Sequence, residues 1–298
     1  MTQFKVKTAL RLRSVAAIEP GNIITVLPQE TLVTEIEQPH PAGWLFVSTT
    51  VGGKALSGFV SSAFLDSVAA DIPEDAATTV QEVHMKTAQS ITRSKTSGRS
   101  FPLNEPGMPE RTGADVLTKV NQLWQIIDFL NVEKSPRYQP ANKQTFCNIY
   151  AYDYCYLAKA YLPRVWWSGK ALTRLAKGET VPVTYGDTIN EITANGLYNW
   201  FNGFGDDFGW KRMFDLTEFQ EEVNKGKAGI IVAQRTVLSL SGHIVPVLPE
   251  DAANKAVRAN GKVTMVLQSQ AGAANKRAFT SQWYLSEKFR GFSFWLHD

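Results

Sequence analysis

Two residues far apart in this chain have the types and settings that nucleophilic catalysis needs. Cys147 sits in Thr145-Phe146-Cys147-Asn148-Ile149-Tyr150-Ala151-Tyr152-Asp153, at the head of an expected helix. His243 sits in Ser241-Gly242-His243-Ile244-Val245 and opens an expected strand. A thiol at a helix N-terminus meets unsatisfied backbone N–H groups and the positive end of the helix dipole, which favour the thiolate that attacks carbonyls. A histidine from a later strand can serve that thiol as base and then as general acid. The pair is therefore read as nucleophile and base of a cysteine hydrolase.

The competing reading of an unpaired cysteine is a small buried hydrophobe. Cys155, inside Tyr154-Cys155-Tyr156-Leu157, fits that description. Cys147 differs because polar residues precede it and Asn148 follows it, which places it at an element boundary. Of the four histidines (His40, His84, His243 and His297), only His243 heads an apolar strand after a glycine. Asp153 falls nearly two helical turns after Cys147, too far along to orient His243, and is read as structural and paired with a cation.

The elements that must position this pair occupy the second half of the chain. Val116, Leu117, Val120, Leu123, Trp124, Ile127 and Leu130 recur at helical spacing. An irregular loop from 133 to 146 follows, then the helix led by Cys147, which ends before Pro163. Further helices are expected near 173–175, 187–202 and 216–224, and strands at 228–234, 243–248, 263–268 and 291–296. Helices first and an antiparallel sheet last predict an α+β domain from 113 to 298. The aromatic run from Tyr198 to Trp210 is hinged by glycines and is read either as a loop over the cleft or as a buried satellite cluster.

The N-terminal segment reads differently. Strands are expected at 4–12, 23–27, 32–36, 44–47 and 56–60, divided by turns at Pro20-Gly21, Pro28-Gln29-Glu30, 39–43 and Gly52-Gly53. Short strands between such turns predict a small all-β barrel over residues 1–67. Residues 68–112, rich in Ala, Asp, Ser, Lys, Gly and Pro with little periodicity, read as a linker, parts of which can pack on a domain. His84 is read there as a solvated side chain.

Composition narrows the function. With 298 residues, 44% hydrophobic and 20% charged, the chain has room for one large domain or two unequal ones of ordinary globular make-up. A formal net charge of +3 and a pI near 8.7 suit contact with an anionic polymer, yet are too weak to argue nucleic acid. Eight tryptophans fit a carbohydrate-handling surface as well as a core. Two cysteines make no disulfide framework and are too few for a cysteine-rich zinc site; no metal or cofactor is expected. The first residues alternate like a strand rather than like a signal peptide, and no stretch is apolar enough to span a membrane. The expectation is a soluble product of the cytoplasm that needs another agent to carry it to any target outside.

The N-terminal residues resemble a bacterial SH3-like domain. The likeness rests on Leu10-Arg11-Leu12-Arg13-Ser14, Val26-Leu27-Pro28-Gln29-Glu30-Thr31, Gly43-Trp44-Leu45-Phe46-Val47 and Gly58-Phe59-Val60-Ser61-Ser62-Ala63-Phe64-Leu65. It implies a barrel that holds a wall enzyme on peptidoglycan, with Trp44 as a ligand platform, or that braces the enzyme's active site, against one that acts only as a spacer with Trp44 in its core. The C-terminal segment resembles the NlpC-type and CHAP-type cell-wall peptidases of papain-like fold, most closely a subset with a Thr-x-Cys-Asn start. It does so through Thr145-Phe146-Cys147-Asn148-Ile149-Tyr150, then Phe219-Gln220 and Asn224-Lys225-Gly226 before a strand. Gly242-His243-Ile244-Val245-Pro246-Val247 and Gln268-Ser269-Gln270-Ala271-Gly272 complete the set.

That resemblance implies a third, polar residue holding the imidazole in its productive tautomer. Gln268 and Gln270, two apart, would share a strand face. The resemblance favours Gln270, before Ala271-Gly272, and leaves Gln268 as an ordinary edge-strand residue; a glutamine departs from the commoner histidine, asparagine or glutamate. The oxyanion hole would use the Cys147 N–H with Tyr138 or Gln144 as second donor. Tyr138 is the residue expected at the substrate, against the alternative of packing its loop to the core. The implied function is a peptidoglycan hydrolase cutting an amide of the stem peptide, endopeptidase before amidase. It would belong to a phage lysin released by a holin or to an effector injected by a secretion system, with an immunity protein as a further partner. The alternatives are an inactive wall-binding protein and an acyl-transfer or deamidating enzyme on the same fold.

Overall fold

The computed structural model describes residues 3–36, 40–68 and 80–298. It divides into two compact units, Met1–Ala77 and Thr78–Asp298. Part of the expected turn at 39–43 and residues 69–79 of the expected linker lie outside the described residues.

The first unit is all-β. Its strands are β1 (Gln3–Val6), β2 (Leu10–Arg13), β3 (Ile23–Leu27), β4 (Leu32–Glu35), β5 (Trp44–Val51), β6 (Lys54–Ser61) and β7 (Leu65–Val68). They pair antiparallel in the order β3-β2-β6-β5-β4-β1-β7. Val6, Leu12, Leu27, Val33, Val47 and Val60 form one buried core. The β5–β6 hairpin turns through Gly52 and Gly53 at φ of 56° and 77°, a backbone that glycine adopts without a Cβ penalty. The run expected as one strand over 4–12 is two, because the exposed Lys7-Thr8-Ala9 turns the chain between β1 and β2.

The second unit is mixed α+β. Helix α1 (Val116–Leu130) begins at Asp115, whose carboxylate accepts the N–H of Thr118 at 2.9 Å, and ends at Asn131 in the left-handed conformation. It buries Leu123, Ile126, Ile127 and Leu130, one face of the 3.6-residue period. Helix α2 (Cys147–Leu157) is buried nearly all round, which makes it the central helix, packed against α1 on one side and the sheet on the other. Then come β8 (Val165–Trp167), α3 (Gly169–Leu175), β9 (Ile189–Glu191), α4 (Ala194–Phe204), β10 (Trp210–Met213) and α5 (Leu216–Val223). The remaining strands are β11 (Ala228–Arg235), β12 (His243–Val247), β13 (Val257–Ala259), β14 (Lys262–Met265), β15 (Leu267–Gln270), β16 (Lys276–Thr280) and β17 (Phe289–His297). Six strands form an antiparallel sheet in the order β10-β17-β11-β12-β15-β16. Among the described residues no helix is long and apolar enough to cross a membrane.

Two expectations change, and a choice left open is made. From residue 80 onward the expected linker is part of the second unit: Val83, Ile91 and Leu103 are buried in the same core as α1 and α2. Side-chain hydrogen bonds stand in for a backbone ladder there. Asn104 accepts the N–H of Ile91 and donates to the carbonyl of Gln89 at 2.8 Å, and the Tyr161 hydroxyl accepts the N–H of Val83 at 3.0 Å. His84 is accordingly half-buried rather than freely solvated; its ring lies edge-on to Tyr161 at 5.3 Å and beside Glu82 at 3.6 Å, and burial lowers its pKa. The aromatic run is a buried cluster, in which Trp200 and Phe201 of α4 pack with Trp166, Phe208 and Trp210.

Candidate active site

Cys147 is the first residue of α2, and the backbone N–H groups of Ile244, Asn148 and Cys147 itself lie close enough to its sulfur to favour the thiolate. Ile244 directly follows His243, so the helix head and the strand head meet. The helix position is the one read from the sequence. Its electrostatic consequence is not, because Cys147 is only 3% exposed and burial pushes the thiol up to about 11, outweighing the N–H groups that favour the thiolate.

His243 opens β12 opposite Ala233 of β11. Gly242 before it has no room for a side chain: a Cβ there would stand 2.5 Å from Asn195 Oδ1 and 2.7 Å from the Ala233 carbonyl. The same Asn195 holds the preceding loop, donating to the carbonyls of Leu238 and Leu240 at 3.2 and 2.9 Å. Close packing thus fixes where the histidine enters the strand.

The imidazole is oriented by Gln270 at the end of β15, whose Oε1 accepts from His243 Nε2 at 3.0 Å. The Gln270 amide is itself fixed, since its Nε2 donates to the Ala274 carbonyl at 2.9 Å and so turns the oxygen to the ring. A register shift between Gln268 and Gln270 in the pairing with β16 accompanies this placement, a device that re-aims side chains on a strand. Nε2 therefore carries the proton in the neutral ring and Nδ1 holds the lone pair. Burial lowers the His243 pKa, and the Gln270 bond opposes that only in part. Both shifts favour the neutral forms of the thiol and the imidazole.

Gln268 is not an edge-strand residue. It is fully buried on β15, which lies between β12 and β16. It donates to the carbonyls of Val266 and Ser281 and accepts the indole N–H of Trp283 at 2.8 Å. Trp283 in turn stands edge-on to His243, ring centres 4.6 Å apart. Sequence periodicity gave no sign of Trp283, which lies in a short turn outside any strand.

Tyr138 likewise does not line the cleft over the start of α2. It is wholly buried and its hydroxyl donates to Asp153 Oδ2 at 2.9 Å. Asp153 also takes Arg137 in a two-pronged pair, at 2.6 and 3.1 Å, with both side chains sealed from solvent. Asp153 thus has the cation expected for it, and Tyr138 packs its loop onto α2. Gln144 lies instead in the open cleft of about 410 Å³ that exposes the start of α2 and is also lined by Cys147, Asn148, Ser241 and Gly242. Trp44 is half-buried in the first unit, beside a groove of about 390 Å³ with Arg11, Arg13, Ile18 and Phe64. No cluster of three or more His, Cys, Asp or Glu side chains suited to a metal ion occurs among the described residues.

No family model matches the chain, and no curated protein matches it. Among solved structures, that of NlpC2 from Trichomonas vaginalis is similar at 9% identity and a TM-score of 0.24, covering 100% of this chain and 72% of that one. A likeness that slight carries neither fold nor chemistry.

Proposed function

We propose that the second unit is a cysteine hydrolase in which Cys147 is the nucleophile, His243 the base and Gln270 the residue that orients it. The observation that supports this best is the His243–Gln270 hydrogen bond, because it leaves Nδ1 as the free base on a strand that packs against the helix headed by Cys147. Attack begins when Nδ1 takes the thiol proton as sulfur bonds to the substrate carbonyl carbon. The oxyanion falls at the start of α2, where the Cys147 N–H and the Gln144 side chain are the donors at hand. Collapse breaks the C–N bond, and the imidazolium returns its proton to the leaving amine. Water, deprotonated by the same nitrogen, then frees the acid and the thiol. A buried thiol and a half-buried imidazole in the free protein suit a contact that tightens once substrate fills the cleft.

The substrate class rests on the resemblance to cell-wall peptidases: an amide of the peptidoglycan stem peptide, endopeptidase before amidase, cut by a lysin or an injected effector. The first unit, with Trp44 on its groove, would then hold the enzyme on the wall. Mass spectrometry of muropeptides after digestion tests this, since each cleaved bond leaves its own fragment. Intact muropeptides across pH, from reduced protein, would sink it. A second reading has its own support: the thiol and imidazole are both held neutral and, among the described residues, share no hydrogen bond, as befits an inactive wall-binding protein. Wall pull-down without cleavage favours that reading.

A further inference from the structure

The cleft over Cys147 has a charge that the proposed chemistry does not use. Its ionisable lining is Arg99, Lys143 and Arg164 against a single carboxylate, Glu191. Arg99 has no acidic partner among the described residues. Its Nε and one Nη donate to the backbone carbonyls of Arg137 and Pro136, at 2.9 and 3.2 Å. Its guanidinium lies 3.5 Å over the ring of Phe146, the residue before the nucleophile. Arg164, at the foot of β8, is 4% exposed and donates from Nε to the Arg99 carbonyl at 2.9 Å, which ties the two arginines into one wall. Its second nitrogen meets Glu191, while its third, Nη1, is buried with no acceptor at all. Leaving a buried guanidinium N–H unsatisfied is costly, and arginine is the side chain suited to gripping a carboxylate with two parallel bonds.

We propose that the Arg99–Arg164 wall is a carboxylate subsite, so that the substrate carries a free acid group close to the amide that Cys147 attacks. This rests on the hydrolase reading and narrows it. A guanidinium stacked on Phe146 presents its charge beside the helix head, where the macrodipole also favours an anion. Glu191, which is 42% exposed and held by the Tyr185 hydroxyl at 3.0 Å, forms the solvent-facing rim of the subsite, where a substrate carboxylate would compete with it for Arg164. Arg99 and Arg164 are thus specificity residues, not catalytic ones.

The test uses the full chain carrying Cys147→Ala, which cannot turn over, titrated calorimetrically with purified stem tetrapeptide and with the same peptide amidated at its carboxylates. The acid form should bind roughly tenfold or more tightly, the scale of one charge-assisted pair. Arg99→Gln should erase most of that preference while leaving the amidated peptide unchanged, and Arg99→Lys should recover part of it. Equal binding of the two forms, binding of neither, or an equal loss for both in Arg99→Gln overturns the subsite. If Arg99→Gln does not fold, the comparison of the two peptides on the Cys147→Ala chain decides alone. Acid-selective binding without cleavage by the native chain leaves the subsite standing and removes the hydrolase reading instead.

Discussion

His243 Nε2 donates to Gln270 Oε1 across 3.0 Å, so the group that holds the imidazole is an uncharged amide. An amide fixes the tautomer as a carboxylate does, yet it adds no negative charge to stabilise an imidazolium. That is why burial wins and the His243 pKa lies below its ordinary value. Gln270→Ala should therefore lower kcat/KM by about 10- to 1,000-fold through loss of orientation. Gln270→Glu should instead move the acid limb of the pH–rate profile upward, because a carboxylate favours the protonated ring. A profile unmoved by the glutamate would show that His243 is not the titrating base.

The same shift has a consequence for stability. A histidine whose folded pKa is depressed binds its proton more readily when unfolded, so the unfolded state gains as pH falls. The stabilisation is complete above about pH 6.5, the unfolded value, and is lost as pH drops through the lowered folded one. His84 is shifted the same way and adds to the effect. Melting temperature should fall below pH 6.5, and the fall should be shallower in His243→Gln. An equal slope in both proteins would assign the effect to other groups.

Cys147 should react slowly in the free protein. With its thiol pushed up to about 11, little thiolate exists near neutrality, and iodoacetamide labelling should climb with pH toward that value. Cys155, fully buried and also pushed up, should label more slowly still. Cys147→Ser should abolish hydrolysis, and Cys155→Ser should retain it. Fast labelling of Cys147 at pH 6 would mean that the resting pair is ionised.

Much of this site was legible in the sequence. Cys147 and His243 announced themselves through boundary residues: a polar run before one, a glycine before the other. Helix α1 was legible because Leu123, Ile127 and Leu130 repeat on one face. Strand β16, Lys276-Arg277-Ala278-Phe279-Thr280, was not, since it is short and lacks a clean alternation. The helix expected from 187 begins only at Ala194, after β9. Its signal was Thr193, whose side chain accepts the Gly196 N–H. Segment 80–112 escaped because Val83, Ile91 and Leu103 are buried singly, and isolated apolar residues make no period. Tyr138 and Gln268 were misplaced for a common reason: their roles lie in hydrogen bonds to Asp153 and Trp283, partners that spacing cannot reveal.

Gly242→Ala should damage activity more than stability alone explains. The added Cβ collides with Asn195 and the Ala233 carbonyl, so β12 must shift just where His243 enters. A lower kcat with nearly unchanged substrate binding is the expected signature. Asn195→Ala, which frees the loop at Leu238 and Leu240, should resemble it in milder form. Full activity in Gly242→Ala would show that the strand head tolerates movement.

Arg137 and Asp153 provide the sharpest separation of structure from catalysis. Their side chains are fully buried and doubly bonded to one another, Asp153 on the helix that carries Cys147 and Arg137 in the loop before it. Asp153→Ala strands a buried guanidinium and should cost about 3–5 kcal/mol. In a unit of this size that is a fall of roughly 6–20 °C in melting temperature. Tyr138→Phe removes only the hydroxyl that donates to Asp153 and should cost about 1 kcal/mol. Because Tyr138 lies outside the cleft, that variant should keep its kcat and KM below its melting transition. A raised KM in a well-folded Tyr138→Phe protein would return the tyrosine to the substrate, and would require the cleft to open deeper than the free protein shows.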